Sequence, residues 1–565
     1  MFPLLPRLTA RLNQLCQGVS RPIGHCLAHD SLNSNAAAAC TQQRFLRGNT
    51  VISVRRLIYW AAALAWCAAW AAAPAAAAPP AIDPAALPAL VDRLTWGFTP
   101  AEFERARKLG TQGYIDAQLS APATPQLPRA IQGYIDRLTI SQQSASAAFA
   151  KISEYRQLLR DMPDGPEKTA MRRRMQAIAS TRAADTARRT TWRALYSSNQ
   201  LHEQMTWFWM NHFNMYAPKG HVGVALADYE DRAVRPHALG RFHDLLAATV
   251  RSPSMLLYLD NHYNRAGRIN ENYARELMEL HTLGVDGGYS QKDVQELARI
   301  LTGLGVNYRS TPPKVPAELR SQVVQEGNFL FNPRFHDYGD KLFLQRKIAG
   351  TGLAEVDEAI DILARHPATA RHISRKLAQF FVADRPPDDL VAAMAKTFQS
   401  SDGDIAATLR TLFASQPFIA SLDAGKFKDP MHYVYSSLRL AYAEFPPVAR
   451  VDTANQWLNR LGQPLYRRIT PDGYPLTQSE WSGSGQLTSR FDWARRVIVA
   501  PGRFYQAAGQ KPPVQLPPVP SLPEIYKRTQ RYEALSPATR QAIESARTIQ
   551  DANTYLLASP EFMRR

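Results

Sequence analysis

Beyond position 67 the chain has no cysteine; Cys16, Cys26, Cys40 and Cys67 are the four it contains. The body that follows therefore holds no disulfide, cysteine nucleophile, zinc–cysteine site or iron–sulfur cluster. Signatures of several common chemistries are missing as well. There is no HExxH zinc helix, GxSxG nucleophile elbow, Walker loop, GxGxxG after a strand or EF-hand series.

An apolar fraction of 45% and a charged fraction of 21% over 565 residues are those of a globular chain able to build a sizeable core. The formal charge of +18 is partly an N-terminal effect. Residues 1–78 hold seven arginines and one acid, and without them the excess is +12, from 60 basic against 48 acidic residues. Runs such as Arg172-Arg173-Arg174 and Arg188-Arg189 lack interleaved aromatics. They read as solvated helix faces, and no nucleic-acid partner is expected.

Arg55-Arg56, the apolar stretch Leu57 to Ala73 and the alanines up to Pro79 follow the order of a secretory signal. Cleavage is expected after Ala77, which keeps proline out of the first mature position. The signal peptide then spans 51–77, with translation starting near Val51. Residues 1–50 are expected to be a non-native or disordered extension, and N-terminal sequencing of the precursor decides this. The competing reading is an uncleaved anchor, for which a span of about 17 residues is short. Membrane contact is expected through this leader alone.

Helical patterns dominate the remainder, with a short helix from Leu87 and a longer one reaching Leu119, capped by Thr99 with Pro100 in its first turn. Residues 128–216 read as long helices turned at Asp161 to Pro166. Ser252-Pro253 opens another helix, and Ser290 with Asp293 forms a capping box for one that stops at Gly303. Residues 306–350 lack a helical period and are expected to form an irregular or hairpin insert. Helices resume from Leu353 to about Phe445, 462–485 is loop-like, and 510–523 is a proline-rich connector. Leu412 to Phe418 and Leu556 to Phe562 echo each other at helix ends. The fold class is mainly α, one large multi-helix domain over 78–565.

The densest polar run is Asn270-Glu271-Asn272-Tyr273-Ala274-Arg275-Glu276-Leu277-Met278-Glu279-Leu280-His281-Thr282-Leu283-Gly284, about four turns of helix with Gly284 as its C-terminal glycine. With Glu271 at zero, Arg275 falls at about 40°, Glu279 at about 80° and Glu276 at about 140°, whereas His281 shares the side of Ala274, Leu277 and Met278. Glu271 and Arg275 are spaced as an ion pair. Glu276 and Glu279 add carboxylates that either face water or form a site with shifted pKa values.

Trp207 to Asn214 forms a second cluster, in which His212 has apolar neighbours and Asn211 and Asn214 require partners. Glu230, Arg235, Asp260 and Asn270 are further binding candidates. His336-Asp337 in the insert is an acid–base or metal-ligand candidate. His366 and His372 flank a helix start, where capping and surface roles are the common ones. No spacing supports a metal site built from His212, His281 and His336, so metal and cofactor content stay unknown.

Asn270 to Arg299, Trp209 to Phe213, Arg235 to Phe242, His366 to Ala370 and Ala558 to Phe562 together resemble the bacterial family catalogued as domain of unknown function 1800, over a match from about Leu87 to the C-terminus. The resemblance implies export, a largely helical fold and a gene often neighbouring that of domain of unknown function 1501, an exported family resembling sulfatases and alkaline phosphatases. No activity transfers with it. The chain departs from the family at Leu304, where members commonly carry Trp.

Two functions follow as expectations. In the first, a periplasmic or secreted hydrolase-like enzyme acts on a polar polymer such as a glycan. Glu276 or Glu279 is then acid or base, His212 and His336 with Asp337 move protons or bind metal, and Arg275 holds an anionic group; Asn211, Glu230, Arg235, Asp260, Asn270 and Glu271 contact substrate. In the second, the chain is a non-enzymatic binding or assembly partner of the co-encoded family 1501 protein.

Overall fold

Capping chemistry sets where the helices begin. Thr99 accepts from the Glu102 N–H at 3.2 Å and Pro100 occupies the first turn, which starts helix α1 (Pro100–Leu119). Ser290 and Asp293 form a reciprocal capping box at the start of Gln291–Ile300. The computed structural model describes residues 82–124, 126–309, 311–505 and 519–565. The extension, the signal peptide and its cleavage point fall outside these residues, as do positions 510–518 of the connector. Ala78–Arg565 forms one compact unit.

The described chain is mainly α-helical. Within α1, Gly110 adopts φ +71° and kinks the axis. The turn at Asp161 to Pro166 joins α2 (Ala145–Asp161) to α3 (Pro166–Tyr196), which pack together. Helix α4 (Gln200–His212) is enclosed on every side, since all its residues are buried. Its polar side chains must therefore find partners inside the protein. The proline-rich connector ends earlier than the composition suggests. Leu522 and Pro523 already form the first turn of a helix, and the Leu522 N–H donates to Asn553 at 2.8 Å.

The insert is a β-structure. Leu304–Val306 (β1), Val324–Glu326 (β2) and Phe329–Phe331 (β3) make an antiparallel sheet in the order β1-β3-β2. Leu304, the departure from the family pattern, is buried at its start. Lys341–Phe343 (β4) pairs with Arg346–Ile348 (β5) across Leu344-Gln345, both at positive φ. That two-residue turn matches the right-handed strand twist, and Asp293 accepts the Leu344 N–H at 2.8 Å to hold it. The sequence echo also has a physical basis. Ser415 accepts from the Phe418 N–H at 3.3 Å and Ser559 from the Phe562 N–H at 3.1 Å, so both copies are serine caps closing on a phenylalanine.

Candidate functional site

The acidic run forms a shorter helix than its periodicity suggests. Helix α5 spans Asn272–Glu279 and then widens: the His281 N–H donates to the Glu276 carbonyl at 3.0 Å and the Leu283 N–H to the Met278 carbonyl at 2.8 Å, each five residues back. His281 thus leaves the helical wheel, and Gly284 lies beyond the helix end. Gly284 has φ +84°, and a Cβ there would approach His372 Nδ1 to 3.0 Å, so glycine lets this turn close against that ring. Tyr273, Ala274, Leu277 and Met278 are buried beneath, whereas Glu271, Arg275, Glu276 and Glu279 are half-buried.

Two of these polar side chains satisfy each other. Glu271 accepts from Arg275 at 3.0 Å and from Gln291 at 2.7 Å, and Arg275 also donates to Gln291 at 3.0 Å. This closed ring occupies both residues expected to bind substrate. Glu276 and Glu279 make no ion pair among the described residues. Burial, Glu279 and Asp472 push the Glu276 carboxyl above the ordinary glutamate value, against the opposing pull of Arg275. Burial and Glu279 also raise the Tyr289 phenol.

Asp472, whose charge contributes to raising Glu276, sits in a loop clamped by Asn211 of α4 and by Asn214 just beyond it. Asn211 donates to the Tyr474 carbonyl at 2.9 Å and accepts the Tyr474 N–H at 2.7 Å; Asn214 donates to the carbonyls of Arg468 (3.0 Å) and Thr470 (2.8 Å). Tyr258 adds a bond to the Ile469 carbonyl at 2.8 Å. Asn211, expected to touch substrate, instead positions the loop. Although burial opposes ionisation, Thr470 at 2.5 Å, Arg468 at 3.1 Å and the charge of Lys376 hold Asp472 below the usual aspartate value. Asn211→Ala is expected to cost about 1–3 kcal/mol by stranding both Tyr474 backbone groups. Limited proteolysis should then cut within 464–477; an unchanged digest and midpoint would rule the clamp out.

Beneath lie three histidines, His212, His281 and His372, with rings 6.1 Å apart for the His212–His281 and His212–His372 pairs. His212 Nε2–H donates to the His281 carbonyl at 3.0 Å, leaving Nδ1 as a buried lone pair without a partner. His372, half-buried within helix α6 (Pro367–Phe381), donates to the Leu280 carbonyl at 3.3 Å. His366 is the N-cap of α6. Burial and Lys376 hold all three cluster rings neutral, with His281 lowered to about 3 and His372 to about 4.

Buried His202 and His432 behave alike, lowered to about 3 and about 4 by burial first. A histidine whose folded pKa is depressed stabilises the protein above its ordinary value near 6.5, and that contribution is lost as pH falls. The thermal midpoint is therefore expected to be flat above pH 7 and to fall by several degrees between about pH 6.5 and 4.5, before ordinary carboxylates titrate. A midpoint that is level through this window would contradict neutral burial.

The other candidates lie apart from this face. His336 faces Glu355 through Nε2 at 2.9 Å and the Thr302 carbonyl through Nδ1 at 2.9 Å. Lys341 also binds Glu355, and Asp337 is gripped by Arg299 at 2.9 Å. Thr302, His336 and Glu355 follow the order of a nucleophile triad, but the Thr302 hydroxyl donates to the Arg299 carbonyl at 2.5 Å and all three are buried. The group staples the insert to the following helix, so the expected proton-shuttle or metal-binding role of His336 finds no free ring nitrogen. Among the described residues, no three His, Cys, Asp or Glu side chains are arranged to hold a metal ion.

Glu230 and Arg235, expected to bind substrate, are sealed in an ion-pair lattice. Arg235 bonds Glu203 at 2.8 Å and Glu230 at 2.9 Å, and Arg193 reaches Glu230 at 3.2 Å and Asp231 at 2.6 Å. Arg189 holds Asp231 at 2.7 Å. Glu230 has no solvent exposure. It sits on a π-helical turn, Tyr229–Val234, that aims it inward. Asp260, paired with Lys219 at 2.7 Å, and Asn270, which bonds the Asp260 carbonyl, build the turn before α5.

A cavity of about 1020 Å³ lies elsewhere, between α3 and residues 452–467. Its lining includes Arg173, His221, Asn455, Asn459 and Arg467, and its acid, Asp452, is held by Arg188 at 2.8 Å. Asp452 is thus occupied, whereas Glu276 on the α5 face has no ion-pair partner among the described residues. Sequence reading missed Asp472 and Lys376 there and gave His372 only a capping or surface role. The four-residue spacing of His372 and Lys376 on one helix was the available signal for two of them.

No curated protein and no solved structure matches the chain. The model of a family described as a protein of unknown function, DUF1800, matches residues 89–564. With most of its length covered, and with the acidic α5 run inside the match, the chain belongs to the DUF1800 family.

Proposed function

We propose that the chain is an exported hydrolase-like enzyme acting on a polar polymer such as a glycan, with Glu276 as general acid and Asp472 as general base. What supports this reading is that Glu276 has no ion-pair partner among the described residues, and that its surroundings push its carboxyl upward while those of Asp472, within electrostatic reach, push that carboxyl downward. Environments that drive two titratable groups apart assign the acid and the base. Asp472 takes a proton from water as the water oxygen bonds to the electrophilic carbon. Glu276 gives its proton to the leaving oxygen as the old bond breaks. Arg275, tied to Glu271 and Gln291, is not available to hold an anionic substrate group.

Support for export is the order of Arg55-Arg56, the apolar stretch from Leu57 and the alanines before Pro79. Among the described residues no helix is long and apolar enough to cross a membrane. The hydrolase reading is tested by following acid or reducing-end release from a panel of glycans, peptides and polyesters. It fails if none is cleaved, or if Glu276→Gln cleaves as fast as the parent.

A second reading, docking to a co-encoded phosphatase-like exported protein, is favoured by the 1020 Å³ groove, where Arg173 and Arg467 have no acid partner among the described residues. Co-purification of the two proteins, lost in Arg467→Glu, supports it; separate elution counts against it.

A further inference from the structure

Against the three-stranded sheet of the insert lies a cavity of about 140 Å³ that neither reading of function uses. It is lined by Gly305 of β1 and by Leu330 of β3, cross-strand partners that are both half-buried. Leu304, Phe329 and Phe331, on the other face of the same strands, are buried in the core. A glycine inside a strand gives up packing and order, so it calls for a physical reason. Gly303 has one, since its φ is +82° and a Cβ there would come within 2.8 Å of the Asn332 carbonyl oxygen. Gly305 has neither constraint: it sits in regular strand pairing, and a Cβ would meet nothing within 4 Å. Its missing side chain keeps the cavity open.

Asn332 is the second, independent observation. It lines the cavity and is 8% exposed. Its Oδ1 accepts the Arg334 N–H at 3.1 Å, which fixes the amide, and its Nδ2 then donates to no group among the described residues. Buried amides are paired as a rule, so two N–H bonds stand available to an acceptor in the cavity. Arg265 lines it too, its guanidinium 4.1 Å from the centre of the Phe335 ring and in no ion pair or hydrogen bond among the described residues. His262, also in the lining, donates Nδ1–H to the Leu256 carbonyl at 3.2 Å; burial keeps the ring neutral, so Nε2 is an acceptor.

We propose that this cavity is a binding site for a carboxylate with a hydroxyl beside it, the chemistry shared by uronic acids and small free hydroxy acids. Arg265 supplies the charge, the Asn332 amide supplies direction, and His262 Nε2 accepts from the hydroxyl. A neutral sugar would leave the guanidinium without a counter-charge. The site stands independently of the reading of Glu276 and Asp472 as a hydrolytic pair.

Calorimetric titration of the full chain with galacturonate, lactate and neutral galactose tests the site. Saturable binding of galacturonate or lactate, with galactose at least about tenfold weaker, supports it, and the tighter of the two acids names the source. Asn332→Asp keeps the oxygen that accepts the Arg334 N–H but puts a negative oxygen in place of the donor. Arg265→Met keeps apolar contact with Phe335 and removes the charge. Each should weaken the acid at least about tenfold while circular dichroism stays unchanged. Gly305→Val should abolish binding and hold or raise the thermal midpoint, because valine suits a strand and the space is open. Absence of saturable binding by either acid, equal binding of galactose, or parent-like affinity in Asn332→Asp or Arg265→Met overturns the proposal, as does a folded Gly305→Val that still binds. Asn332→Asp and Arg265→Met decide the matter even where Gly305→Val lowers stability.

Discussion

Replacing Glu230 by alanine is expected to lower the unfolding free energy by about 3–5 kcal/mol, because it leaves buried charges without their partner. Glu230 is bonded by Arg193, Arg235, Thr190 and Tyr466, with Arg189 at 4.0 Å. Burial opposes its ionisation, but the three guanidinium groups prevail and hold the carboxyl well below its ordinary value. A depressed carboxyl contributes stability above the unfolded value near 4.5, and that contribution is lost as pH falls further. The loss in Glu230→Ala should accordingly be full at neutral pH and shrink in acid.

The effect should also reach the functional loop. Tyr466 has φ +59°, donates to Glu230 at 2.7 Å and through its carbonyl accepts the Ala217 N–H at 2.9 Å, anchoring the start of the segment that carries Asp472. Denaturant unfolding checks the prediction. A variant within about 1 kcal/mol of the parent would mean that the lattice is less closed than its distances imply.

The second large effect concerns Glu276→Gln. Removing the general acid is expected to slow hydrolysis by about 10²–10⁴-fold. The same change should raise stability at neutral pH, because the parent carboxyl is raised by burial, Glu279 and Asp472 and must ionise at a cost in the folded state. A raised carboxyl loses stability as pH climbs from the unfolded value through the folded one, so the gain in the variant should vanish below about pH 4.5. An inactive yet more stable protein is the pattern of a strained functional group. Lower stability together with lower activity would instead mark Glu276 as structural.

Much of the architecture was legible because local chemistry and packing agree. Thr99, Ser290 and the 161–166 turn mark helix boundaries by backbone capping, which depends on neighbours in sequence. The insert was recognisable by its lack of period, whereas the pairing of β1 with β3 depends on contacts between Leu304–Val306 and Phe329–Phe331. The helix wheel separated the half-buried carboxylates from buried Ala274, Leu277 and Met278. It misplaced the helix end, because the step to five-residue hydrogen bonding after Glu279 is set by packing against His372.

The site was harder to read for one physical reason: its charged members come from distant segments. Asp472 belongs to a loop located by Asn211 and Asn214, and Lys376 to a helix where its four-residue spacing from His372 was the one signal. Conversely, Glu230, Arg235 and His336 looked chemical in sequence because buried ion pairs and active sites use the same residue types. Their partners decide the matter. Each is occupied within the fold, whereas Glu276, Glu279 and Lys376 have no ion-pair partner among the described residues.

Carbon-13 titration of the Glu276 and Asp472 carboxyls, assigned by loss of each signal in Glu276→Gln and Asp472→Asn, tests the acid–base claim most directly. The account predicts that Glu276 titrates above 4.5 and moves toward it in Asp472→Asn, whereas Asp472 titrates below 3.8 and stays there in Glu276→Gln. Two ordinary, independent titrations would contradict the assignment of an acid and a base to this face.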